Sequence, residues 1–298
     1  MSSRAKLTGV LTALVTPMNR DGTIDYGALD ALVDKQIEAG IDGLVPCGTT
    51  GESATMSADE REQVIAHVVK RANRRCTVVA GAGANGTAVA IEHQKRAAGT
   101  GADYALVVTP YYNKPTPTGL YKHYEALLGA ADIPIILYNV PGRTACDMLP
   151  ETVARLAEIP NIVGIKEATG SMERIHALKS GCPDDFTILS GEDFMGLDTI
   201  LAGGKGVISV TANVAPALMH EMCSLGLAGE TVRAKETDDR LQPLHKALFL
   251  ESNPIPSKWA LKEMGLLEKG IRLPLTWLSD SYHDEVRDAM TTANAVAA

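Results

Sequence analysis

Short apolar runs alternate with amphipathic stretches from residue 9 to about residue 226, and this alternation narrows the possible folds more than any other feature of the chain. The runs at 9–16, 43–47, 77–82, 104–109, 133–139, 162–167, 186–190 and 206–210 are rich in Val, Ile and Leu. They read as strands of a parallel sheet buried on both faces. The stretches near 26–39, 58–72, 87–99, 118–130, 150–158, 171–180, 193–202 and 215–226 read as helices. Ser57 with Glu60 forms a capping box, Pro150 suits a first helical turn, and Gly40, Gly99 and Gly181 fall where helices should stop.

Eight strands, each followed by a helix, in a chain of 298 residues is the pattern of a (β/α)8 TIM barrel. A doubly wound open sheet is the alternative, but such sheets commonly change pattern after about six strands. Beyond residue 229 the strand signal ends, and helices are expected near 229–249, 254–265 and 280–293. The predicted organisation is an α/β barrel over 1–228 and a small C-terminal helical domain over 229–298, with a frayed tail from Thr291 to Ala298.

The net charge of −8 argues against a nucleic-acid partner, which normally leaves a basic footprint. No apolar stretch is long enough to span a membrane, and the polar start Met1-Ser2-Ser3-Arg4 does not read as a signal peptide, so a cytoplasmic protein is expected. The five cysteines (Cys47, Cys76, Cys146, Cys182, Cys223) are scattered, without CxxC or HExxH motifs, so neither a metal site nor a disulfide framework is expected. They read as small buried hydrophobes.

Lys166 lies inside the buried-looking run Ile162-Val163-Gly164-Ile165-Lys166-Glu167-Ala168. An ammonium group there is costly and escapes by losing its proton, which leaves a nucleophilic amine able to form a Schiff base with a ketone. A lysine whose head snorkels to water is the plainer reading of that segment alone. Other unusual residues fall where neighbouring strands end, the face on which barrel enzymes place their chemistry. Cys47-Gly48-Thr49-Thr50-Gly51-Glu52 offers hydroxyls and amides suited to a carboxylate, though a simple strand–helix turn has the same composition. Tyr111 and Tyr112 follow strand four, and Tyr138 ends strand five with Arg143 just beyond. Singly these tyrosines read as packing residues; beside a lysine they suit proton transfer. Gly81-Ala82-Gly83-Ala84-Asn85-Gly86 matches GxGxxG with Asp103 downstream, but it opens on the third strand and Asp103 precedes its own strand, so a dinucleotide is not expected.

Six motifs then identify a family: GTTGESAT at 48–55, VTPYYNKPT at 108–116, ILYNVPGRT at 136–144, GIKEATG at 164–170, GVISVTAN at 206–213 and NPIPSKWA at 253–260. In this order the chain resembles the dihydrodipicolinate synthase family of pyruvate-dependent class I aldolase-like lyases, over nearly its whole length. The resemblance implies a lyase of lysine and diaminopimelate biosynthesis, with pyruvate as a Schiff base on Lys166 and L-aspartate 4-semialdehyde as second substrate. Tyr138 would donate and accept protons, and Thr49, Tyr138 and Tyr112 would relay them, Tyr112 from a neighbouring subunit. Thr50 would hold the pyruvate carboxylate, Ile208 would border pyruvate through its carbonyl, and Gly191 is a further substrate-binding position. Arg143 would clamp the carboxylate of the semialdehyde. It favours this reading over the alternative, a lyase acting on N-acetylneuraminate or 2-keto-3-deoxy sugar acids. No cofactor is implied, and a homotetramer is. The positions matching the family's L-lysine site are Ser53, Ala54, Ala58, Arg61, Asn85, Val89 and Tyr111. Lysine-sensitive members carry histidine and glutamate where Ala58 and Val89 stand, so weak feedback inhibition is expected.

Overall fold

The computed structural model describes residues 7–295 and contains a closed barrel of eight parallel strands, in the order β1 to β8 with β8 returning to β1. The strands are β1 Gly9–Ala13, β2 Gly43–Val45, β3 Thr77–Gly81, β4 Tyr104–Val108, β5 Ile135–Asn139, β6 Ile162–Glu167, β7 Thr187–Ser190 and β8 Gly206–Ser209. Nearly every strand residue is buried, because side chains fill the barrel on one face and meet helices on the other. The helices are α1 Tyr26–Glu38, α2 Ala58–Ala72, α3 Thr87–Gly99, α4 Pro117–Leu128, α5 Pro141–Thr144, α6 Pro150–Ala157, α7 Met172–Gly181, α8 Gly196–Leu201, α9 Pro216–Leu227, α10 Thr231–Ala247, α11 Ile255–Glu263 and α12 His283–Thr292. None is long and apolar enough to cross a membrane.

Local signals account for most boundaries. Both halves of the Ser57–Glu60 capping box form, and Pro150 opens α6. Several expected boundaries shift. The first strand stops at Ala13: Leu14 N–H still donates to the Val45 carbonyl at 3.1 Å, but Val15 N–H donates to Asn213 Oδ1 at 3.1 Å, and Thr16 Oγ1 donates to the Gly51 carbonyl at 2.8 Å. The fifth strand begins after Pro134, which has no N–H for the ladder. The eighth helix begins only at Gly196, because Asp193 is drawn inward to accept the N–H groups of Val210 and Thr211 at 2.8 and 2.9 Å. The tail is not frayed at its start: Thr291 and Thr292 complete α12, and Ala293 is buried. Val296 to Ala298, the rest of that expected segment, and the polar start Met1 to Lys6 lie outside the described residues.

The apolar core runs without a break from β1 and β8 through α9 into α10, α11 and α12. The C-terminal helices therefore share a core with the barrel, and α11 sits close enough to reach its mouth. All five cysteines are free; Cys47, Cys146 and Cys223 are buried, whereas Cys76 and Cys182 are only half-buried. The first two glycines of the GxGxxG run serve close backbone packing between neighbouring strands. A Cβ on Gly81 would lie 2.0 Å from the Cys47 carbonyl oxygen, and one on Gly83 would lie 2.6 Å from the Val108 nitrogen. Asp103 is occupied in accepting the Val78 N–H at 2.8 Å.

Candidate active site

A cavity of about 40 Å³ opens at the C-terminal ends of the strands, and Lys166 lies in its wall. Thr49, Thr50, Tyr138, Arg143, Gly191 and Glu192 line it too. Space of that size holds a few water-sized groups.

The barrel register builds the centre. Lys166 on β6 is aligned with Tyr138 on β5 and Leu189 on β7. Neighbouring residues in register share a face, so the lysine and the tyrosine both project into the barrel mouth. Lys166 Nζ lies 4.4 Å from the centroid of the Tyr138 ring. That contact places the amine over the negative face of a π-system. Lys166 is 6% exposed and, among the described residues, has no carboxylate within ion-pair distance.

Space beside the lysine depends on Gly191. A Cβ there would lie 2.7 Å from Ala168 Cβ and 3.1 Å from Lys166 Cε, so a side chain at this position would clash with Ala168 and crowd the lysine. Gly191 N–H donates to the Glu167 carbonyl at 2.6 Å, fixing the turn after β7 against β6. Glu192 follows on that turn, with its N–H donating to Ser190 Oγ and its carbonyl accepting from the same hydroxyl. Burial pushes the Glu192 carboxyl up to about 6, against the opposing pull of Lys166. Glu192 is a cavity residue that sequence reasoning missed; its adjacency to Gly191 was the available signal.

Thr50 is buried while Thr49 is exposed at the cavity rim. Thr50 Oγ1 accepts a hydrogen bond from Asn253 Nδ2 at 2.9 Å. Asn253 precedes α11 and also lines the cavity. It lies in the NPIPSKWA motif, but nothing local in that motif points to a partner 203 residues away. Arg143 is carried by the short helix α5, which sequence reasoning did not anticipate, and its guanidinium is exposed at the rim.

The Ile208 side chain is wholly buried in β8, and Val210, two residues on, lines the cavity. Tyr112 is 89% exposed and does not line the cavity of its own chain. Of the positions matching a lysine site, Ser53 and Ala54 form a 3-10 turn ahead of Ala58, which opens α2. Arg61 is buried, donating to the Gly81 carbonyl at 2.9 Å and lying 3.0 Å from His93 Nδ1. The Asn85 carbonyl accepts from Asn113 Nδ2 at 2.8 Å, and Val89 and Tyr111 are exposed. No group of His, Cys, Asp and Glu that could hold a metal occurs among the described residues.

Comparison with known proteins places this geometry. The model of the dihydrodipicolinate synthetase family matches residues 6–293. The 4-hydroxy-tetrahydrodipicolinate synthase of Methylococcus capsulatus is 55% identical over 290 residues, 97% of this chain and 100% of that protein. The enzyme of the same name from Stutzerimonas stutzeri is 53% identical over 291 residues, 98% of this chain and 100% of that one. A crystal structure of the chloride-inhibited dihydrodipicolinate synthase from Acinetobacter baumannii, complexed with pyruvate, superposes with a TM-score of 0.96 at 49% identity, covering 98% of this chain and 100% of that chain.

Proposed function

The chain belongs to the dihydrodipicolinate synthetase family, and we propose that it condenses pyruvate with L-aspartate 4-semialdehyde to give 4-hydroxy-tetrahydrodipicolinate, with Lys166 as the nucleophile. The observation that carries this reading is the buried Lys166 amine lying 4.4 Å over the Tyr138 ring at the end of a small cavity.

The steps follow from the residues present. The neutral amine of Lys166 attacks the ketone carbon of pyruvate, and the carbinolamine loses its hydroxyl as water to give an iminium. Loss of a proton from the methyl group yields an enamine, whose carbon attacks the aldehyde of the second substrate. Attack by that substrate's amino group on the iminium carbon closes the ring and expels the Lys166 amine. Each step moves a proton on or off a small site, which suits the hydroxyls of Tyr138 and Thr49 as acid and base. They do so without placing a second cation beside the lysine. Thr50 holds the pyruvate carboxylate, Gly191 keeps the space open, and the Ile208 carbonyl borders the substrate. Arg143, at the rim, suits a bidentate hold on the semialdehyde carboxylate. The exposure of Tyr112 supports the reading that it completes the relay of a neighbouring copy in a homotetramer.

Weak or absent inhibition by L-lysine belongs to the same proposal. Val89 supplies no carboxylate for a cationic ligand. Arg61 is a buried cation with no ion-pair partner among the described residues.

One assay tests both parts: pyruvate-dependent consumption of the semialdehyde, coupled to a reductase that oxidises NADPH, with and without L-lysine. Turnover is expected, with little response to millimolar lysine. Half-inhibition below about 1 mM, which corresponds to binding stronger than about 4 kcal/mol, would overturn the regulatory part. Absence of turnover, with borohydride still trapping pyruvate on Lys166, would move the protein to a sister lyase.

A further inference from the structure

We propose that Asn253 is a positioning residue for pyruvate, its side-chain amide fixing the Thr50 hydroxyl as a donor toward the substrate carboxylate. The inference rests on the reading of Thr50 as the carboxylate-holding residue and adds what makes it one.

A threonine hydroxyl has one proton and two lone pairs, and its rotor settles according to its neighbours. A carboxylate accepts hydrogen bonds and donates none, so a hydroxyl that presents lone pairs to it repels it. Asn253 Nδ2 donates to Thr50 Oγ1 at 2.9 Å, with the two residues 5% and 3% exposed. The N–H occupies a lone pair and turns the hydroxyl proton away from Asn253. Both residues line the same cavity, and Thr50 Oγ1 donates to no other group among the described residues, so its proton is free to serve a ligand there. Donation into the hydroxyl also polarises it and makes it a stronger donor.

A second observation concerns the amide itself. Asn253 Oδ1 is buried and has no hydrogen-bond partner among the described residues. Only the Nδ2 end is therefore engaged, and the direction of that single bond is the side chain's distinguishing polar contact. The segments that carry the pair are fastened independently. Lys258 on α11 forms an ion pair with Glu52, both side chains fully buried, and Glu52 Oε2 accepts the Arg272 N–H at 3.1 Å. Loss of the Asn253 amide thus leaves the two segments joined.

The test is steady-state kinetics on the full chain, together with borohydride trapping at graded pyruvate concentrations. Asn253→Asp keeps the shape and reverses the bond, since a carboxylate can only accept from Thr50 and adds a negative charge. It should raise the pyruvate KM by about tenfold or more and leave the semialdehyde KM within about twofold. Asn253→Ala should raise the pyruvate KM about fivefold in the natural background and have no further effect beside Thr50→Val. That coupling keeps the idea testable if the aspartate variant fails to fold. A pyruvate KM unchanged by Asn253→Asp, or additive effects of Asn253→Ala and Thr50→Val, would overturn it. Trapping separates two kinds of failure. If the natural protein traps no pyruvate, the reading of the whole site falls. If it traps normally and the variants half-saturate at the same pyruvate concentration, the Asn253 inference alone falls.

Discussion

Two lysines are buried at the mouth of this barrel, and they are held in opposite ways. Lys258, on α11, is fully buried with its ammonium paired to the equally buried Glu52. Burial pushes the Lys258 ammonium downward, and Glu52 opposes that push by charge and by hydrogen bond. Lys166, on β6, has no carboxylate within ion-pair distance among the described residues; the Tyr138 ring lies under it, and the nearby Glu192 carboxyl is itself resisted by burial. A matched carboxylate holds a lysine as a cation and makes it a fastener. Without such a carboxylate among the described residues, the Lys166 amine is not tied up in an ion pair. Burial alone, which the two share, does not distinguish them; the partner does.

Removing each lysine breaks the comparison most directly. Lys166→Ala should cut turnover by on the order of 10⁴-fold or more and abolish borohydride trapping, while the thermal midpoint stays near that of the natural protein. Normal turnover by this variant would sink the nucleophile assignment. A large loss of thermal stability would mean that Lys166 is also a fastener. Lys258→Met should do the reverse, because it strands Glu52 as a buried unpaired charge. The expected cost is about 3–5 kcal/mol, which for a chain of this size lowers the thermal midpoint by roughly 10 °C. Thermal unfolding checks it, and an unchanged midpoint would show that the pair is not structural. Trapping per folded molecule should survive.

The sequence carried one half of this contrast more clearly than the other. The barrel was legible because eight apolar runs repeat at strand length, and Lys166 stood out because its run is apolar on both sides. Pairing Lys166 with Tyr138 needs the β5–β6 register, which strand patterns alone do not supply. Lys258 sits in a helix among Trp259, Ala260 and Leu261, and its partner lies 206 residues away on a loop after β2. Contacts of that span leave no local trace, which also hid the bond between Asn253 and Thr50. The end of β1 is hidden for a related reason: Val15 is as apolar as the strand, but its N–H goes to the Asn213 side chain instead of the β-ladder. Hydrophobicity reports burial, and a strand needs a neighbour at the right register as well.

The smallest expected effect concerns the carboxylate that Lys166 does have nearby. Glu192 is raised from 4.5 to about 6, chiefly by burial. Its folded pKa exceeds its unfolded one, so the native state binds more protons between those values. Stability from this group is therefore fully present below about pH 4.5 and is lost as pH rises through about 6. The full shift would be worth about 2 kcal/mol, and partial exposure to solvent reduces this to about 1 kcal/mol. Glu192→Gln removes the titration and keeps the shape. The stability of the variant relative to the natural protein, measured by urea unfolding, should rise by about 1 kcal/mol between pH 4.5 and 7. A flat difference would mean that Glu192 ionises as readily as an exposed glutamate. It could then neutralise Lys166 much as Glu52 neutralises Lys258, and the contrast between the two lysines would narrow to one of distance.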